Sequence, residues 1–192
     1  MTTAATAMTS GHTSLITYLT GQHRSVALKF GQLEKLRDSS DEEAATIAQQ
    51  AVIALMKHSV AEEIHLYPLV RERLGDELAD REIAEHNEAE RTMKDLEGLQ
   101  PGDTEFWPTV HRLIDLVRQH VHEEEFWLFP RLQRACSREE LLELGRKIAK
   151  TERTAPTRPH PTTPHEPGAL EMLGPGAGMI DRLRDALTGR GR

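Results

Sequence analysis

The sequence predicts an all-α protein: an up-down-up-down four-helix bundle with a short fifth helix and a mostly flexible C-terminal tail. Three observations carry this expectation. Aromatic residues are 4% and charged residues 29% of the 192, with Ala, Leu and Glu abundant, which favours helix over sheet. Apolar residues recur at helical spacing over long stretches separated by short turn signals. Finally, the second half repeats the first. His58-Ser59-Val60-Ala61-Glu62-Glu63-Ile64-His65-Leu66-Tyr67-Pro68 aligns without a gap with His120-Val121-His122-Glu123-Glu124-Glu125-Phe126-Trp127-Leu128-Phe129-Pro130, and a lone histidine, His23 or His86, precedes each.

Taken in order, residues 1–12 are rich in Thr and Ala and are expected to be loose. From about Thr13 to Arg37, Leu15, Ile16, Leu19, His23, Val26, Ala27, Phe30 and Leu33 form one helical stripe. Gly21 and Gly31 each weaken that helix by about 1 kcal/mol relative to Ala. Ser40-Asp41-Glu42-Glu43 reads as a capping box with acids on the positive end of the dipole. The second helix runs to about Leu74, where Gly75 ends it. Pro68 lies inside it and is expected to kink or break the last turns, with Pro130 at the same place in helix four.

A third helix spans about Asp76 to Leu99, with Leu78, Ala79, Ile83, His86, Ala89, Glu90, Met93 and Leu96 inward. Pro101-Gly102-Asp103 is a turn. The fourth helix runs from about Thr104 to Arg134, and Pro108 falls near its first turn, where proline is tolerated. Ser137-Arg138-Glu139-Glu140 is a second capping box that opens a short fifth helix to about Lys150. The bundle domain is therefore read as residues 13–150. Residues 151–192 are read as a Pro-rich linker followed by a short amphipathic segment, Met179 to Leu187.

A net charge of −7 argues against binding nucleic acid or an anionic membrane. A single cysteine, Cys136, leaves neither a disulfide framework nor a thiolate metal site. No apolar run reaches the roughly 20 residues of a membrane span. The N-terminus lacks the basic and apolar regions of a signal peptide, so the expected compartment is the cytoplasm.

The chemistry lies in the repeat. On a helix, His120 and Glu124 are one turn apart and share a face with Leu113, Val117 and Leu128; His58 and Glu62 stand in the same relation. A carboxylate aimed into an apolar core costs several kcal/mol unless paired or metal-bound. In an antiparallel bundle His23, His58, His86 and His120 come to similar heights, together with Glu62, Glu124 and Glu90, the last one turn after His86. Four imidazoles and up to three carboxylates exceed the needs of one ion and suit two ions bridged by carboxylates. Nitrogen and oxygen donors without thiolate favour iron, with manganese as the alternative, over structural zinc. Glu63 and Glu125 are expected at the bundle edge and His111 and His122 at the surface. His65 is expected in packing, while His160 and His165 fall in the linker.

One histidine, then His-x-x-x-Glu, then the same again, with Leu66-Tyr67-Pro68 and Leu128-Phe129-Pro130 endings, resembles the hemerythrin-like, or HHE cation-binding, proteins over about residues 13–135. The resemblance implies a non-haem di-iron centre in which His23 and His58 hold one iron, His86 and His120 the other, and Glu62 and Glu124 bridge them. Oxygen-carrying members have a second histidine where this chain has Glu90, a departure that points from reversible oxygen carriage towards oxidation or peroxide chemistry. The implied small ligand is dioxygen or hydrogen peroxide, with catalase-like disproportionation as one outcome. The alternative is a sensor of oxygen, nitric oxide or iron, or an iron storage and donation protein.

Overall fold

The structure is a computed structural model, and it describes residues 13–37, 42–160 and Asp181. Helices α1 (Leu15–Lys35), α2 (Glu42–Leu74), α3 (Asp76–Leu96) and α4 (Phe106–Glu123) make the bundle. A π-helical turn (Glu124–Leu128) follows α4, and then come α5 (Phe129–Ala135) and α6 (Arg138–Thr151). The expected all-α architecture is present, and each of the first four helices packs on the next. The capping box at Ser40, the N-terminal residues 1–12, and nearly all of the amphipathic segment after Met179 lie outside the described residues.

Of the expected α1 stripe, Leu15, Leu19, His23, Val26, Phe30 and Leu33 are buried, whereas Ile16 is half-buried and Ala27, at the stripe's margin, is exposed. Ser14 caps α1 by accepting from the Thr17 N–H. Gly75 stands between α2 and α3 at φ 109°, a left-handed conformation that glycine adopts without strain. Around Pro101 the chain turns through a bond from the Asp103 N–H to the Gln100 carbonyl, 2.8 Å. The capping box at Ser137 is formed in both directions.

The two prolines, expected to act alike, behave differently. Helix α2 continues past Pro68 to Leu74 and is not broken there. Helix four instead changes register just before Pro130: the Phe129 N–H donates to the Glu124 carbonyl, five residues back. Pro130 then falls in the first turn of α5, where its missing N–H leaves no gap in the ladder.

Residues 152–160, expected as a linker, lie against the bundle. Ala155 and Thr157 are buried, and Ala155 joins the apolar core. The Arg158 guanidinium bonds Glu97 at 2.9 Å. Buried Asp181 accepts from the Thr157 and Arg158 N–H groups, each at 3.1 Å. Side chains and backbone donors hold the segment where composition alone suggested only solvation.

The core is split in two. One apolar cluster fills the end containing Val26, Phe30, Val52, Met93 and Phe106. A second fills the other end, around Leu15, Leu19, Leu66, Leu132 and Ile148, with α6 covering it. The repeat's histidines and glutamates form a polar layer between the two.

Candidate metal centre

Helix α1 brings His23, α2 His58 and Glu62, α3 His86, and α4 His120, while Glu124 opens the π-turn. All six are buried, and Glu62 and Glu124 are 0% exposed. Helical turns alone do this, because each His-x-x-x-Glu lies along one inward face.

The outer nitrogen of every histidine has an acceptor. The Nδ1–H of His23 donates to Glu125 at 2.8 Å, and that of His86 to Glu63 at 3.1 Å. The Nδ1–H of His58 donates to Gln22 at 2.8 Å, and that of His120 to Glu85 at 2.9 Å. A histidine whose Nδ1 carries the proton presents a bare lone pair at Nε2. These lone pairs face one another: His23 and His58 Nε2 are 3.2 Å apart, and His86 and His120 Nε2 3.0 Å.

The carboxylates span the two histidine pairs. Glu62 Oε2 lies 3.1 Å from His58 Nε2 and 3.5 Å from His86 Nε2. Glu124 places Oε2 3.3 Å from His23 Nε2 and Oε1 3.8 Å from His120 Nε2. Both oxygens of Glu62 and Oε2 of Glu124 are buried without a hydrogen-bond partner. Lone pairs that converge in a dry layer repel unless a proton or cation lies between them. The donor atoms gather as His23, His58, Glu62 and Glu124 on one side and Glu62, His86 and His120 on the other. Such a nitrogen–oxygen set suits iron or manganese.

Without a cation the charges settle unevenly. Burial, with Glu124 beside it, pushes the Glu62 carboxyl well above the usual range. Burial pushes Glu124 the same way, yet His120 and His23 outweigh it and hold that group at about 2. Burial holds the His58 and His86 imidazoles neutral by lowering them.

Several participants lie outside the sequence expectation. The Tyr67 hydroxyl is 2.8 Å from His86 Nε2 and donates to Glu124 at 3.4 Å. Its repeat partner, Phe129, instead stacks on His23 at 5.9 Å. Glu82, 0% exposed, joins His120 and Glu124 in a third group of donor atoms. Burial raises its carboxyl to about 7. Glu82 stands one turn before His86, the same spacing as His-x-x-x-Glu read backwards, so a search in both directions would have found it. Glu63 is buried, not at the edge, and Glu125 holds His23 from a half-exposed position. Gln22 and Glu85 each directly precede a lone histidine, a signal present in the repeat.

Glu90 is the exception among the expected ligands. It is buried on α3, but it belongs to none of the converging groups among the described residues. Its Oε1 accepts from the His160 N–H of the docked C-terminal segment at 2.7 Å. His65 bonds Thr151 at 2.7 Å, and His122, at the surface, packs on Phe126. An apolar cavity of about 110 Å³ reaches all four histidines past Val26, Leu55, Met93 and Val117.

Comparison with known proteins agrees with this geometry. The hemerythrin HHE cation-binding domain matches residues 14–132, and the chain belongs to that family. It is 30% identical over 158 residues to an uncharacterised hemerythrin-like protein of Schizosaccharomyces pombe, covering 80% of this chain and 78% of that protein. It is also 30% identical over 118 residues to a DNA nickase of Nostoc, covering 62% of this chain and 33% of the nickase. No solved structure matches. Among the described residues no helix is long and apolar enough to cross a membrane.

Proposed function

We propose that the chain is a non-haem di-iron protein that reacts with dioxygen or hydrogen peroxide, disproportionating peroxide in oxidative defence in the cytoplasm. The observation that carries this reading is the convergence of four bare Nε2 lone pairs and two bridging carboxylates in a buried layer. His23 and His58 would hold one ion, His86 and His120 the other, with Glu62 and Glu124 between them; Glu90 is left out of the set. Bound there, the metal pair supplies reversible two-electron redox chemistry.

The protein's own groups supply the rest. The cavity of about 110 Å³ admits a small molecule past apolar walls, since a water takes about 30 Å³ of liquid. The two halves of the site are unequal. Tyr67 and Glu82 crowd the His86–His120 side, whereas Phe129 gives the His23 side no donor. An external ligand therefore finds room beside His23 and His58. Glu82, raised to about 7 by burial, holds or releases a proton at Oε2, 3.4 Å from His120 Nδ1.

The test is to load the chain with iron, add peroxide, and follow oxygen evolution and the visible spectrum together. Sustained oxygen release is expected. A single reversible spectral change with no release would overturn the enzyme in favour of a ligand-binding sensor. One observation favours that second reading: Glu90, one turn from His86, is bonded to the C-terminal segment, which could report events at the site.

A further inference from the structure

Three of the four histidines are held at Nδ1 by carboxylates, Glu125, Glu63 and Glu85. A carboxylate only accepts, so it fixes the proton on Nδ1 and frees Nε2. His58 is held by Gln22, a neutral amide. An amide turned over would offer its NH₂ to Nδ1, and the ring would then carry its proton on Nε2, facing the metal layer. The orientation of Gln22 is set by its other bond, to a residue outside α1 and α2.

Glu152, at the end of α6, decides it. The Gln22 NH₂ donates to Glu152 Oε1, which leaves Gln22 Oε1 for the His58 Nδ1–H. The Tyr18 hydroxyl donates to the other oxygen of Glu152 at 2.8 Å and fixes the carboxylate from its far side. Glu152 lies beyond the residues, 14–132, that match the family domain.

We propose that Glu152 is a positioning residue for the metal centre, setting the metal-binding tautomer of His58 through Gln22. The inference rests on the reading of the buried cluster as a cation site. It means that the C-terminal helix, and not the four-helix domain alone, completes one of the four imidazole ligands.

The experiment compares Glu152→Ala, Glu152→Gln and Tyr18→Phe in the full chain. Nitrogen NMR of the metal-free protein reads the His58 tautomer, and titration with Fe(II) or Mn(II) reads affinity. Wild type should show the proton on Nδ1. Glu152→Ala should show a mixture of tautomers and bind metal about tenfold more weakly or worse. Glu152→Gln still offers an acceptor oxygen and should restore both readouts to within about threefold, and Tyr18→Phe should leave the tautomer unchanged. An unaltered tautomer in Glu152→Ala would overturn the inference. So would equal losses in the Ala and Gln variants, which mark a merely structural contact. The metal reading fails separately, if wild type binds neither ion while its His58 tautomer is as expected.

Discussion

At the scale of single residues, a bond at Nδ1 aims each of the four central histidines, whereas the carboxylates between them are held less fully. Glu62 is the most exposed to test: it alone reaches His58 and His86 at 3.1 and 3.5 Å with no other partner. Glu62→Ala should reduce bound iron from two ions per chain to one or fewer, measured by elemental analysis, with helicity retained. Tyr67→Phe removes a hydroxyl 2.8 Å from His86 Nε2. The variant should bind Fe(II) with an altered affinity in the same titration, because the bond to Glu124 and the contact with His86 are both lost. The pH dependence follows from the buried acids. Glu82 titrates at about 7 when folded against 4.5 when free, so the folded chain binds its proton more tightly. That contribution to stability is full below 4.5 and disappears as pH rises through about 7. Glu62 shifts in the same direction. His58 and His86, lowered by burial, act in the opposite sense, but only below their free value of 6.5. From pH 6.5 to 8 the melting temperature of metal-free protein should therefore fall, whereas that of the metal-loaded protein should not.

Elements were the most legible scale. The apolar stripe of α1, the glycine stop at Gly75 and the capping box at Ser137 rest on local rules of spacing and backbone freedom, and all are present. The two prolines were not separable, because the fate of a proline depends on the register of the turn before it. That register follows from the π-turn at Glu124, where five-residue bonding has no sequence mark of its own. The clustering of His23, His58, Glu62, His86, His120 and Glu124 was legible because one helical face carries each His-x-x-x-Glu pair. The bond of Glu90 to the His160 N–H was not legible, because that N–H comes from a segment whose composition suggests only a linker. Glycines at this scale give opposite predictions. A Cβ at Gly31 would meet nothing within 4 Å, so Gly31→Ala should stabilise by up to about 1 kcal/mol in a denaturant melt. At Gly145 a Cβ would stand 2.3 Å from the Thr13 carbonyl oxygen. Gly145→Ala should push α6 off the start of α1 and lower the melting temperature by several degrees.

At the scale of the molecule, the chain is a doubled unit whose halves exchange supports. Glu63 on α2 holds His86 of α3, and Glu125, in the π-turn, holds His23 of α1. The symmetry breaks at Gln22 against Glu85 and at Tyr67 against Phe129, which is where the two halves of the cluster acquire different surroundings. Sequence reading found the doubling but could not assign those differences, since cross-helix partners depend on rotation about each helix axis.

The polar layer that divides the core has a mechanical consequence. Most helices loosen first at their tips. Here two greasy blocks are joined across a seam of mutually repelling donors, so the metal-free molecule should give way at its waist. Deuterium uptake after chelation would then appear first in the amides around His58, His86 and His120, ahead of those beside Phe30 or Leu132. Restoring the ions should rivet the blocks together and reverse that order.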